Sequence, residues 1–394
     1  MAATPIKIQL KGGHVKPVWA GHPWIFPQGI ERIEGSPGPG QDVVVFDAQG
    51  NALGRGFYSP NSAIAIRLYT RNAEEELSQE LLEARFQAAE RRRQSAGLNS
   101  TSQNLTGYRA IHSEGDFLPG LIVDRFGDVL VVQFGTKGMA DRRELILDAL
   151  EKVWAPRAIL DRSNQKEADR EGFQLQQGVV RGEVPAHLEA EENGLLLRLP
   201  IEGQKTGYYF DQRPLRQRIA RLASGKSVLD AYSFVGAIGL QAKQAGAKDV
   251  LCVDSSAAAL EAGKSLAQLN HLEVRFQKAD AKEFLLSQSP TWDIVIADPP
   301  KLAPHRGAYK RAMSAFRRIA KGAVGSCAPG GVVVLSSCSA VIGIGDVERC
   351  LALGAGDAQR TITVFDRVFQ GADHPVPPAF TEGLYLSTVN ASVE

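Results

Sequence analysis

The chain lacks the marks of a secreted, membrane-bound or zinc-dependent protein. Its four cysteines, Cys252, Cys327, Cys338 and Cys350, form no C-x-x-C pair and no Cys/His ligand spacing, so neither a metal site nor a disulfide framework is expected. The opening MAATPIKIQLKGG carries no apolar core of a signal segment. No apolar run approaches the roughly 20 residues of a membrane helix, so the expected localisation is cytoplasmic, with no membrane partner. A net charge of +1 gives no overall attraction to nucleic acid, and any basic surface has to be local. The glycines of AYSFVGAIG do not make the G-x-G-x-x-G cradle of a dinucleotide site. That absence disfavours NAD.

What is present is long and ordinary in composition. With 394 residues, 44% hydrophobic and 23% charged, the chain exceeds one hydrophobic core and should form two or three domains. Residues 1–72 read as short strands between turns: VVVF (Val43 to Phe46), the loop SPGPG, and the alternating AIAIRLYT (Ala63 to Thr70) predict a small β-barrel or sandwich. Residues 73–194 read as a central α+β domain. Its parts are a helix from Glu74 to Leu98, a hairpin of LIVDRF and VLVVQF turning at Gly127-Asp128, and the helix RRELILDALEKVW.

Residues 195–394 alternate strand and helix. SVLDA, DVLCVD, VRFQKAD, DIVIAD and GVVVLSS are separated by helical stretches, which predicts a parallel sheet with helices on both faces. TITVFDRVFQ and GLYLSTVNASV follow with almost nothing helical between them and should close one edge as an antiparallel pair. The expected class is α/β, a Rossmann-like seven-stranded sheet with its last strand antiparallel.

Ligands of such sheets sit beyond the carboxyl ends of the strands. Asp230, Asp254, Asp280 and Asp298 each stand at such an end. One aspartate there could simply cap a helix; four in succession point to a ligand. The loop with Tyr232, Ser233 and Gly236 lets backbone approach it. Asp254 is placed to accept hydrogen bonds from ribose hydroxyls, and Asp280 with Ala281 from an adenine amine. An adenosine without phosphates fits, which makes S-adenosyl-L-methionine the expected cofactor.

Cys338, after the fifth strand, falls beside Asp298. A thiolate there suits methylation at carbon 5 of a pyrimidine: its addition to carbon 6 turns the ring into an enamine, while Asp298 hydrogen-bonds or protonates the ring nitrogen. Around this edge the charge has one sign. No acidic residue occurs between Asp298 and Asp346, whereas Lys301, Arg306, Lys310, Arg311, Arg317, Arg318 and Lys321 do. That patch reads as an RNA-phosphate surface, on a helix whose apolar side would be Met313, Phe316, Ile319 and Val324.

These stretches together resemble the RlmI-like 5-methylcytosine methyltransferases of bacterial 23S ribosomal RNA. GHPWIF with RGFYSPNSAIAIRLYT is similar to their N-terminal PUA domain, an RNA-binding barrel, and HSEGDFLPGLIVDRFG to their central domain. KTGYYFDQRPLR, DPPK and SSCS are similar to their methyltransferase domain. The resemblance implies that Cys338 is the nucleophile, that Phe210, Asp211 and Gln212 lie near the cofactor, and that ribosomal RNA is the partner; a homodimer stays open. Lys301, where amine-methylating enzymes place an aromatic residue after Asp-Pro-Pro, goes with carbon methylation. The chain departs from the pattern at Gly21, at Arg318-Ile319-Ala320 and at Ala340-Val341, on what reads as the substrate side. Two rivals remain: an amine or guanine methyltransferase in which Cys338 is structural, and an inactive RNA-binding or ribosome-assembly protein.

Overall fold

The computed structural model describes residues 6–98, 105–183, 185–201 and 208–394. They divide into two compact units. The first comprises residues 1–194, 198–210 and 372–383; the second comprises 195–197, 211–371 and 384–394.

In the first unit the alternating stretches become a six-stranded sheet. Its order is Trp24–Ile25, Ile66–Thr70, Ala52–Tyr58, Asp42–Phe46, Ile6–Leu10 and Ile30–Glu34. One face packs Ile8, Leu10, Val43, Val45 and Ile66. Phe57 and Tyr69 instead join the core of a second, five-stranded sheet, where the Arg142 guanidinium lies 4.5 Å from the Phe57 ring centre. In that second sheet Leu121–Phe126 and Val129–Phe134 form the expected hairpin. Phe126 pairs with Val129, and Gly127 turns the chain at φ +58. The expected helix starts later than its pattern suggests, at Gln79, because the Ser78 hydroxyl caps it by accepting from the Leu81 N–H.

The basic run ending that helix is partly internal. Arg93 is fully buried and donates to both carboxylate oxygens of Asp116 at 2.7 Å, and to the carbonyls of Arg109 and Asp373 at 2.9 Å. Asp116 also accepts from Arg92 and from the His112 N–H, both at 2.6 Å. Asp373 belongs to the segment Ala372–Gly383, which lies in sequence between the last two strands of the chain yet is part of the first unit. Its His374 ring packs 4.7 Å from that of His112. Burial, with the charges of His374, Arg109 and Arg93, holds the His112 imidazole well below its usual pKa.

The second unit carries the α/β sheet. We number its strands β1 (Ser227–Ala231), β2 (Asp249–Asp254), β3 (Arg275–Lys278), β4 (Trp292–Ala297), β5 (Cys327–Ser337), β6 (Ile362–Phe369) and β7 (Ser387–Val393). Its helices are α1 (Arg213–Leu222), α2 (Ala237–Gln244), α3 (Ala257–Leu269), α4 (Ala281–Ser287), α5 (Tyr309–Ser326) and α6 (Ile344–Asp357). The strand order is β3-β2-β1-β4-β5-β7-β6. The first five strands are parallel, and β7 runs antiparallel between β5 and β6. The inner strands are apolar on both faces, as a sheet covered by helices requires. Leu229, Val295 and Leu335 meet α4, α5 and α6 on one side; Val228, Ile296 and Val334 meet α1 and α2 on the other. The last two strands pair as expected, but not through a tight turn.

The buried Arg93–Asp116 pair sets a stability prediction for the first unit. Asp116→Ala leaves a guanidinium uncompensated in the interior and should cost about 3–5 kcal/mol. Denaturant unfolding followed by tryptophan fluorescence reads it, since Trp19, Trp24 and Trp154 lie in this unit. A loss below about 1 kcal/mol, the size of a surface pair, would show that this carboxylate is not what holds Arg93.

Candidate active site

The register of three neighbouring strands brings the chemistry together. Ala231 of β1 pairs with Ala297 of β4, and Ala297 with Leu335 of β5. Asp298 is the next residue along β4, and Cys338 the next after β5, so the two leave the same end of adjacent parallel strands.

Asp298 is held from α1. Gln212, just before that helix, donates its side-chain N–H to the Asp298 carboxylate at 2.8 Å. Desolvation, then the negative charges of Asp211 and Asp230, push the Asp298 pKa up to about 7, against the opposing pull of Gln212 and Arg216. Asp230 is buried in β1. One of its oxygens accepts from the Gly239 N–H at 3.0 Å, and the other has no hydrogen-bond partner among the described residues. Burial, and the charge of Asp254, raise its pKa to about 7 as well. Asp211 accepts from the Tyr385 hydroxyl at 2.7 Å, with its second oxygen also buried and unmatched.

The loop after β1 is shaped by its backbone. Tyr232, Phe234 and Gly236 take positive φ values of 61, 53 and 75. A Cβ on Gly236 would come within 2.9 Å of the Phe276 ring, so only glycine fits where α2 begins. Asp254 steadies this loop by accepting from the Phe234 N–H at 2.9 Å and from the Ser256 N–H at 2.8 Å. The Ser233 N–H donates to the Val253 carbonyl at 3.1 Å. Asp280 is an exposed N-cap of α4, accepting from the Glu283 N–H at 3.0 Å, with Ala281 buried behind it. Burial and the charges of Asp280 and Glu283 raise the Tyr232 phenol pKa, which places that ring near the cap.

Phe210 ends a segment of the first unit, where its ring packs 5.2 Å from both Phe126 and Tyr208. Lys205 to Gly207 of KTGYYFDQRPLR lie outside the described residues. Tyr385, Arg216 and the hydrogen bond from Gly239 to Asp230 have no local signal in the chain.

The four thiols separate by burial. Cys252, Cys327 and Cys350 are buried, and burial raises their pKa values: Cys327 to about 12, Cys350 to about 11, and Cys252 far above the usual range. Cys338 alone is part-exposed.

The basic patch divides in two. Lys301, Arg306, Lys310 and Arg311 are exposed, without ion pairs among the described residues, around the start of α5. Further along, Arg317 is paired with Asp357 of α6 through two hydrogen bonds of 2.7 Å, and Lys321 lies within its field. Phe316, Ile319 and Val324 form the expected apolar side, with Met313 half-buried. Ile319 and Ala320 are core residues rather than substrate-side ones: a Cβ on Gly354 would come within 2.6 Å of that of Ala320. Among the described residues no helix is long and apolar enough to cross a membrane, and no group of three or more His, Cys, Asp or Glu could hold a metal.

This arrangement suits a cation. Asp211, Asp230, Asp254 and Asp298 lie within one another's fields, with Arg216 as an opposing charge on Asp298, and burial first, then like charge, raises the pKa values of Asp230 and Asp298. S-adenosylmethionine brings a sulfonium and an ammonium group, and its adenosine half carries hydroxyl and amine donors for which Asp254 and Asp280 would be acceptors. The residues fit it.

Comparison with known proteins agrees. A PUA-like domain model matches residues 8–71, and a model of S-adenosylmethionine-dependent methyltransferases matches residues 176–359. A ribosomal RNA large subunit methyltransferase I from Erwinia tasmaniensis is 35% identical over 97% of this chain and 98% of its own. One of the same name from Shewanella denitrificans is 35% identical over 98% and 99%. Among solved structures, a methyltransferase complexed with SAH superposes with a TM-score of 0.84 over 98% of this chain and 99% of its own, at 19% identity. That last likeness shows the fold.

Cofactor binding should respond to pH with a definite sign. A cation favours the ionised carboxylates, so it lowers pKa values that stand near 7 in the free protein. S-adenosylmethionine affinity should therefore rise as pH rises through about 7, and binding at pH 6.5 should release protons. Titration calorimetry in buffers of different ionisation enthalpy measures the release; proton uptake, or none, would remove the carboxylate pair from the site.

Proposed function

Since the chain belongs to the family of the ribosomal RNA large subunit methyltransferases I, we propose that it forms 5-methylcytosine in ribosomal RNA of the large subunit, in the cytoplasm. It is an S-adenosylmethionine-dependent methyltransferase with an N-terminal PUA-like domain. The observation that supports the finer reading is Cys338, the one part-exposed thiol, which leaves the same end of the sheet as Asp298 on the adjacent parallel strand.

The chemistry follows from what carbon 5 lacks. In cytosine it is a weak nucleophile. The Cys338 thiolate would add to carbon 6, while the ionised Asp298 accepts a hydrogen bond from the pyrimidine edge and so steadies the proton that the ring nitrogen takes up as the electrons move there. The bound cofactor supplies the electrophilic methyl group. Removal of the carbon 5 proton then expels the thiolate. Asp254 would take the ribose hydroxyls, Asp280 and Ala281 the adenine, and Asp211, Gln212 and the Tyr232–Gly236 loop the amino-acid end. Lys301, Arg306, Lys310 and Arg311 would hold RNA phosphates.

Two experiments bear on this. Asp254→Ala should weaken S-adenosylmethionine binding by roughly 1.5–3 kcal/mol, the worth of charged hydrogen bonds; unchanged affinity by calorimetry removes the ribose role. With RNA carrying 5-fluorocytosine the fluorine cannot leave as a proton does, so a cofactor-dependent protein–RNA band should survive a denaturing gel. Cys338→Ala should abolish both band and turnover while cofactor binding persists. If Cys338→Ala still methylates RNA, the target is not carbon 5, and the amine-methylating alternative replaces it.

A further inference from the structure

A second polar surface opens at the other edge of the same unit. Between α1 and the edge strand β6 lies a cleft of about 240 Å3, lined by Gln217, Arg218 and Arg221 from the helix and Asp366, Arg367 and Phe369 from the strand. Its arginines are fixed but not used up. Asp366 binds Arg218 through Nε at 2.6 Å, and Glu348 of α6 binds Arg367 through Nε at 2.5 Å. Both guanidiniums are approached at Nε and stay 40% and 51% exposed, so a phosphate can reach them. Arg221 is exposed and has no ion pair among the described residues. The half-buried Phe369 ring lies among them.

Register places the Phe369 end of this cleft near the strand end that carries Cys338, with the cleft running from there along α1 towards Arg221. Ser337, adjacent to Cys338, pairs with Ser387 of β7, and Ser387 pairs with Phe369. Two strand spacings separate them, about 10 Å. At its start α1 is tied to the same rim through Gln212 and Asp298. Lys301 to Arg311 lead into α5, which packs on the opposite face of the sheet from α1. Guanidinium forks interleaved with an aromatic ring are the makings of a single-strand site, where phosphates and a base face are held together.

We propose that the cleft holds the RNA backbone on one side of the target nucleotide, with the Lys301–Arg311 patch holding it on the other. Arg218, Arg221 and Arg367 take phosphates, and Phe369 stacks an unpaired base. The strand would then cross the carboxyl edge of β4 and β5, gripped from both faces of the sheet, with its target base opposite Cys338. This rests on the reading of the chain as an RNA methyltransferase.

The test uses the full-length protein and an in vitro transcript of large-subunit ribosomal RNA. The double variant Arg221→Ala, Arg367→Ala should bind this RNA roughly tenfold more weakly, with a salt slope shallower by about 1.4 for two lost contacts. S-adenosylmethionine affinity should hold, and KM for RNA should rise while kcat at saturating RNA holds. The single exposed change Arg221→Glu gives the same direction if the double variant folds poorly. A transcript truncated on one flank of its modified nucleotide should bind wild type and variant equally. If wild type neither binds nor methylates the transcript, the functional reading fails rather than the cleft. If wild type does both and the variants match its affinity and slope, the cleft is no RNA site. Nor is it one if their loss appears only on protein-bound precursor particles, where an acidic protein surface would be the occupant.

Discussion

The parallel register of β1, β4 and β5 is the constraint on which the site depends. Alternate residues of a buried parallel strand face opposite layers of helix, so a slip of one residue would exchange Asp230 with Ala231 and turn a carboxylate into the α5 core. Apolar residues on both sides prevent this. Val228 and Ile294 commit one face to α1 and α2, while Leu229 and Val295 commit the other to α5. With both faces committed, Asp298 and Cys338 have to emerge together. The two proposed reactive residues are thus positioned by core side chains on either face of the sheet.

The same packing creates the electrostatic tension of the site. Asp230 sits beside Cys252 and Gly239 with one oxygen unmatched, and Asp298 stands in the field of Asp211 and Asp230. Such groups destabilise a fold when ionised, and proteins keep them mainly where function needs them. In the proposed site the release would be the positively charged cofactor. Gly239 shows how tightly the arrangement is drawn: a Cβ there would come within 2.5 Å of the Cys252 sulfur, displacing the N–H that Asp230 accepts from.

Much of this is legible in the chain because it is local. Hydrophobic alternation marks the strands, Gly127-Asp128 marks the hairpin, and the aspartates and Cys338 stand at strand ends that periodicity alone can find. What escapes is contact between distant segments. Gln212 reaches Asp298 across 86 positions, and Tyr385 reaches Asp211 across 174; only family resemblance points to Gln212, and no pattern near Tyr385 announces its partner. Ala372–Gly383 has the look of a link between two strands, yet its Asp373 and His374 are buried in the first unit. The arginine run at 91–93 has the look of surface, but a carboxylate brought in by a turn makes Arg93 an interior residue. In α5, spacing gives the apolar side correctly and cannot show that Asp357, 40 positions on, neutralises Arg317.

Net charge conceals how these charges are sorted. The chain totals +1, yet Asp211, Asp230, Asp254 and Asp298 lie around the strand ends, while Lys301, Arg306, Lys310 and Arg311, without ion pairs among the described residues, lie around the start of α5. Both signs are needed within one short reach, because the methyl donor is a cation and RNA is a polyanion. A uniformly basic face would bind RNA and repel the cofactor; a uniformly acidic one would do the reverse. Sheet topology resolves the conflict. Asp230 is fully buried and Asp211, Asp254 and Asp298 are part-buried between strand ends and the loop after β1, where a lowered dielectric would strengthen their pull on a small cation. The arginines and lysines stand on helices and an edge strand outside, where water screens them from that pocket and leaves them open to phosphate.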